Sequence, residues 1–215
     1  MKRLFLAINI PKDIKLKIAQ KRDLLESLIP GLRFVGEENW HLTLVFLGQQ
    51  SDEALLPIVR SMRDLVPKFA CPEINFSDIS YGPLKGTPRM IWLNAGGVAF
   101  KEPGSRALGR PSDGLGLNGD DKTSKILSNF KIALEDELIK NGVRFKLENR
   151  EFNSHITLAR FTQAHAKGLP EISKEFKDLN WFFEAEGLDL MESHMSDKGA
   201  KYEILQRIEF TPPPN

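Results

Sequence analysis

The chain has 215 residues, 41% of them hydrophobic and 27% charged, with a formal net charge of +1 at pH 7. That is enough apolar material for one large domain or two small lobes, and too little net positive charge for sequence-blind binding along nucleic acid, which rests on many phosphate contacts. The apolar run of the opening MKRLFLAINIPKD is too short for a signal peptide, no later stretch approaches a membrane span, and the single cysteine, Cys71, has no internal disulfide partner, so a cytoplasmic location is expected.

Arg3 to Ile10 alternates, with Leu4, Leu6, Ile8 and Ile10 on one face and Arg3, Phe5, Ala7 and Asn9 on the other, which predicts a half-buried strand. Pro11 then stands where a helix can start, and Ile14, Ile18, Leu25 and Leu28 form one helical stripe until Pro30-Gly31 stops it. The next segment, WHLTLVFLG, predicts a strand whose core face carries Trp40, Leu42, Leu44 and Phe46, leaving His41, Thr43 and Val45 opposite. Leu55, Val59, Met62 and Val66 predict a second helix, delayed or kinked by Pro57. Glu73 to Ser80 and Arg89 to Asn94 then read as an antiparallel pair around the turn-rich YGPLKGTP.

The order recurs beyond residue 122. Phe130, Leu134 and Leu138 predict a helix that Gly142 can end, VRFKLE alternates, and SHITLARF follows. Ile172 and Phe176 mark a short helix, and WFFEAEGLDLM and KYEILQRIEF read as strands around the turn HMSDKG. The expectation is one bilobal domain over residues 1–215, with an internal repeat over approximately 1–96 and 123–211. The Gly-rich segment 97–122, which has no apolar periodicity, joins the two as a linker or surface loop. No strand feeds a GxxxxGK[ST] or GxGxxG arrangement there, so a phosphate-binding loop is disfavoured.

His41 and His155 each open the same pattern, HLTL in one half and HITL in the other. A lone histidine on an apolar strand is more often a hydrogen-bonded structural residue, but two at matching places in similar units read as two halves of one site. If the halves pack about a pseudo-twofold axis, the His/Thr faces converge across a cleft. Two imidazoles can then divide general acid and general base work, with threonine hydroxyls and an arginine stabilising charge on a phosphorus centre. Strict alternation puts Arg160 on the core face with Ile156 and Leu158, where an unpaired guanidinium is too costly. Either the strand ends or bulges near Ala159, turning Arg160 to the cleft, or Arg160 leaves for solvent.

Residues 41–44 and 155–160, with the RLFLAI opening, WHLTLVFLG, HITLARF and the late LMES and YEIL segments, resemble the two-histidine phosphoesterases. Within them they are most similar to the RNA 2′,3′-cyclic phosphodiesterases, also called 2′-5′ RNA ligases. The resemblance spans nearly all of the chain except roughly residues 97 to 122. It implies an α+β, bilobal fold, with pseudo-twofold duplicated antiparallel sheets flanked by helices around a central cleft. It also implies metal-independent opening of a 2′,3′-cyclic phosphate at an RNA end to a 2′-phosphate, with weak reverse joining of RNA ends. Carried over, His155 would be the base and His41 the acid. Thr43, Thr157 and Arg160 would hold phosphate oxygens, and Phe5, on the face that does not look like core, is a candidate for stacking on the terminal base, with plain packing as the alternative. The Gly-rich stretch departs from the family, in which a strand such as Ile91 to Leu93 leads more directly into the helix.

The remaining candidates carry less. His165 in a polar loop and His194 in the turn read as exposed residues, Ser193 as a turn cap, and Cys71 as a structural thiol. No His/Cys/Asp/Glu cluster has ligand spacing, so no metal or other cofactor is expected. Lys15, Lys17 and Lys21 lie on the solvent side of the first helix, where they solvate it or steer an RNA end. The expected partners are RNA ends or nucleoside cyclic phosphates as substrate, with no membrane and a monomeric chain. The competing readings are a binding module that holds nucleotides or RNA ends without turnover, and a phosphodiesterase for another small cyclic phosphate.

Overall fold

The alternating opening forms β1 (Lys2–Asn9), and Pro11 precedes α1 (Lys12–Leu28). The computed structural model describes every residue except 84, 101–119, 149–151, 163–165, 167, 197–198 and 213–215, and describes 96–100, 120–126 and 196 by backbone alone. Ile14, Ile18 and Leu25 are buried as expected, but Leu28 is exposed and Ile29 closes the stripe, because it falls nearer the centre of that helical face. The short β2 (Arg33–Phe34) and a 3-10 turn at Glu37–Asn39 lead into β3 (His41–Gln50). A 3-10 turn at Asp52–Ala54 then starts α2 (Leu55–Leu65), whose first turn accommodates Pro57 without kinking, since no hydrogen bond is needed there. The buried face of α2 is Ile58, Ser61, Met62 and Leu65, and Val59 is only half-buried.

β4 (Pro72–Gly82) and β5 (Met90–Phe100) form the expected antiparallel pair, longer than the sequence suggests, and α3 begins at Asp120 (Asp120–Lys140). Strand structure thus enters the expected linker, while its centre, 101–119, lies outside the described residues, as does His165. VRFKLE is not a strand: 143–148 pair with no ladder, although Val143 is buried. Then come β6 (His155–Arg160), a 3-10 turn at Lys174–Phe176, β7 (Trp181–Glu184), β8 (Gly187–Ser196) and β9 (Gly199–Glu209). WFFEAEGLDLM is therefore two strands, and His194 sits in β8, opposite Lys201, instead of in a turn.

Two antiparallel sheets result, ordered β3-β1-β8-β9 and β2-β6-β5-β4-β7. Each draws strands from both ends of the chain, so the lobes are not the two sequence halves. β1, α1 and β3 in one sheet answer to β5, α3 and β6 in the other, and the second copy starts at β5, ahead of the Gly-rich segment. Each sheet buries one face, with the helices, in a common apolar core that includes Leu6, Trp40, Leu93, Phe130 and Leu190. No described helix is long and apolar enough to cross a membrane.

Candidate active site

β3 and β6, the strands that carry the two motifs, pack against each other. Their burial patterns coincide: half-buried His, buried apolar residue, half-buried Thr, two buried residues, one exposed. The cause is a β-bulge at the same place in each. In β3, Ala7 opposes Thr43 but Leu6 opposes Val45, so Leu44 is extra; in β6, Trp92 opposes Thr157 but Ile91 opposes Ala159, so Leu158 is extra. The bulge lets two consecutive apolar side chains enter the core and returns the next residue to the His/Thr face.

Arg160 thereby lies on the His155 and Thr157 face, exposed, with Met90 opposite it. Of the two alternatives open from the sequence, the bulge is the one realised. The matching residue of β3 is Phe46, expected in the core but 50% exposed and on the His41 face, its ring 6.4 Å from that of Phe5. Val45 and Leu47 take the core places instead.

Each imidazole is held in the same way. His41 Nδ1 lies 2.7 Å from the Asn39 carbonyl, and His155 Nδ1 lies 2.7 Å from the Asn153 carbonyl. A carbonyl only accepts, so Nδ1 carries the hydrogen on both rings. The repeated unit is thus Asn-x-His-x-Thr-Leu; the asparagines were visible in the sequence two residues before each histidine and were missed. Among the described residues, neither threonine hydroxyl has a hydrogen-bond partner.

Surroundings differ between the rings. His41 packs on Phe5, with ring centroids 4.9 Å apart, and meets Tyr202 edge-on at 4.9 Å. Asn39 also donates from Nδ2 to the Ala200 carbonyl, 3.0 Å away, tying the histidine's anchor to the β8–β9 hairpin. Phe5, expected to stack on a base, is only 3% exposed beneath His41, Phe46 and Tyr202, and has no open ring face to offer. His155 stacks on Trp92, with centroids 3.8 Å apart and planes 23° from parallel. Burial pushes the His41 imidazole down to about 4, against the Asn39 carbonyl, which favours the proton, and with smaller downward contributions from Lys15 and His155. The two histidines therefore feel each other's charge.

Of the three lysines, Lys15 acts on His41, whereas Lys21 donates to the Glu175 carbonyl and lies 5.3 Å over the Phe176 ring, which ties it to the fold. His194 is exposed beside Glu203, 3.4 Å away, and takes no part in the site. Ser193 opposes Tyr202 within the β8–β9 ladder, and Cys71 is a half-buried thiol whose pKa burial raises. Among the described residues, no three His, Cys, Asp or Glu side chains gather at metal-ligand spacing.

Comparison with known proteins agrees with this layout. The model of the LigT-like phosphoesterases matches residues 8–92 and 120–202. The RNA 2′,3′-cyclic phosphodiesterase of Methanocaldococcus jannaschii is 28% identical over 206 residues, covering 95% of this chain and 98% of the relative. The protein of the same name from Archaeoglobus fulgidus is 24% identical over 209 residues, covering 96% and 99%. Among solved structures, a Thermus thermophilus protein superposes with a TM-score of 0.68 at 22% identity, covering 96% of this chain and 97% of that one. E. coli LigT complexed with 3′-AMP gives 0.61 at 23% identity, covering 98% of each. With both His-x-Thr strands inside the matched segments, the chain belongs to the LigT-like phosphoesterases of the two-histidine superfamily.

Proposed function

We propose that this phosphoesterase opens the 2′,3′-cyclic phosphate at an RNA end to a 2′-phosphate by acid-base catalysis between His41 and His155, without a metal. The pairing of two imidazoles on adjoining strands, each held through Nδ1 by the carbonyl of an asparagine two residues before it, is the observation that carries this reading. A binding module needs no second proton-transfer group. The RNA terminus as substrate draws on the names of the relatives.

The reaction is an in-line displacement. Water attacks phosphorus opposite the 3′ oxygen, one histidine accepts a water proton, and the other donates a proton to the departing O3′. Thr43, Thr157 and Arg160 stabilise the charge that gathers on the non-bridging oxygens. Burial shifts the His41 imidazole toward its neutral form, which suits the base and leaves the acid's part to His155. This exchanges the roles carried over from the family, because the burial of His41 disfavours its charged form. Phe46, the exposed ring on the His41 face, takes over from Phe5 as the platform for the terminal base. The reverse reaction, with the 5′-hydroxyl of a second RNA in place of water, gives weak 2′-5′ joining.

The test is turnover of nucleoside 2′,3′-cyclic monophosphates and of a short RNA bearing the cyclic end, in EDTA, for the parent, His41→Ala and His155→Ala. A 2′-phosphate product whose rate falls on the order of a hundredfold or more in each variant, with folding kept, is expected. A folded parent that binds but turns over none of these ligands returns the protein to the binding module or to another cyclic phosphate.

A further inference from the structure

The duplication extends past the histidines to residues that the sequence scatters. Asn9 is the cross-strand neighbour of His41, and Asn94 is the cross-strand neighbour of His155. Each asparagine turns its amide nitrogen onto a carboxylate from the next strand. Asn9 Nδ2 donates to Asp189 Oδ2 at 2.6 Å, and Asn94 Nδ2 to Asp78 Oδ2 at 2.8 Å. A carboxylate only accepts, so chemistry fixes which way each amide faces.

The clamps are themselves held. Asp189 is fully buried and receives Arg207 Nε at 2.7 Å and Nη2 at 2.9 Å; Asp78 receives Ser77 Oγ at 2.7 Å. Asn94 spends its other N–H on Ser80 Oγ, at 2.7 Å. No described residue donates to Oδ1 of either asparagine. The result is two oriented acceptor oxygens, one beside each histidine, and nothing in the fold requires the acceptor to be there.

An in-line displacement creates a need for such a pair. The attacking water has two protons; one goes to the base, and the second needs an acceptor if a lone pair is to aim at phosphorus. At the opposite apex the 3′ oxygen departs as a hydroxyl, which is again a donor. We propose that Asn9 Oδ1 accepts the second proton of the attacking water beside His41, and that Asn94 Oδ1 receives the O3′–H of the product beside His155. Asp189 with Arg207, and Asp78 with Ser80, are the positioning groups behind them. This rests on the two-histidine reading above. In the step, the water oxygen bonds to phosphorus and gives one proton to His41 Nε2. The P–O3′ bond breaks, O3′ takes the proton of His155 Nε2, and the other water proton stays on the new P–OH, hydrogen-bonded to Asn9.

An alcohol separates this role from a structural one, because methanol has a single hydroxyl proton, needs the base and does not need the second acceptor. The experiment offers the protein a nucleoside 2′,3′-cyclic monophosphate in buffer containing methanol, and measures the 2′-phosphate and its methyl ester with kcat and KM. In Asn9→Ala, where Asp189 keeps both Arg207 bonds, hydrolysis should fall about tenfold in kcat with KM unchanged. Methanolysis should stay within about twofold, so the product ratio moves toward the ester. Asn9→Gln, which keeps the amide but shifts its oxygen, should move the ratio the same way and serves if Asn9→Ala does not fold. Asn94→Ala should slow both products together and leave the ratio alone. An unchanged ratio in a folded Asn9 variant overturns the proposal, as does a ratio that moves in Asn94→Ala instead. A parent that consumes the substrate with neither water nor methanol overturns the two-histidine reading itself.

Discussion

The two lobes hold their histidines with one backbone device and surround them with different chemistry. In both, an asparagine carbonyl takes Nδ1 and a bulge at the leucine after the threonine turns the sixth residue counted from the histidine back to the His/Thr face. The residue opposite Thr43 is Ala7, and its small side chain leaves His41 room to lie on Phe5; the residue opposite Thr157 is Trp92, and His155 stacks on it. The returned residue is an exposed aromatic in one lobe and an exposed guanidinium in the other. Duplication supplied the geometry, and divergence at a few positions made the two halves chemically unequal.

That inequality predicts opposite kinetic signatures for matched substitutions. On the proposed mechanism Arg160→Ala removes a donor to phosphate charge that grows in the transition state, and should lower kcat on the order of a hundredfold. On the same reading Phe46→Ala removes a stacking surface worth about 1–3 kcal/mol, and should raise KM roughly tenfold with kcat near the parent. Steady-state kinetics on a nucleoside 2′,3′-cyclic phosphate measures both. Equal effects on kcat from the two variants would erase the distinction between the lobes.

Much of this was legible in the sequence because alternation and the paired motif are local signals. The core face of β1, most of that of α1 and the β4–β5 pair follow from short-range spacing, as does the repeat of the His-x-Thr pattern. What failed did so where a single inserted residue or a distant strand decides. The bulges at Leu44 and Leu158 reverse the alternation that placed Phe46 inside and left Arg160 open. VRFKLE has a strand's pattern but pairs with no strand among the described residues, and WFFEAEGLDLM breaks because its two parts join different sheets. Phe5 looked free because its covers, Tyr202 and Phe46, come from other strands.

The environment of His41 should also show in the response of stability to acid. An unfolded imidazole takes its proton near 6.5, while buried His41 resists it until about 4. As pH falls through that window, the unfolded chain binds a proton that the folded chain refuses. The contribution is complete above about 6.5 and is lost down to about 4, by as much as roughly 3 kcal/mol. Urea unfolding at a series of pH values should show this slope in the parent and in His155→Gln, and lose it in His41→Gln, which has no imidazole to protonate. Stability curves for the parent and His41→Gln that run parallel between pH 6.5 and 4 would remove the argument for a neutral His41. The acid limb of kcat/KM, which reports the free enzyme's base, should lie near pH 4 for the same reason.

A further effect is expected from outside the site, and it too distinguishes the lobes. Gly82 pairs with Met90 in the β4–β5 ladder, and a Cβ on it would fall 2.2 Å from the indole of Trp92. Gly82→Ala must therefore push the indole aside, at a cost of about 1–3 kcal/mol for overpacking. The ring it moves is the one on which His155 stacks, so turnover should fall by about tenfold even where folding is complete, through misplacement of one proton-transfer group. His41 rests on Phe5 and Tyr202, which Gly82 does not touch, and the acid limb assigned to it should stay where it is. A variant that loses stability but keeps the parent's kcat would mean that the stack on Trp92 supports the fold of that lobe without aiming its histidine.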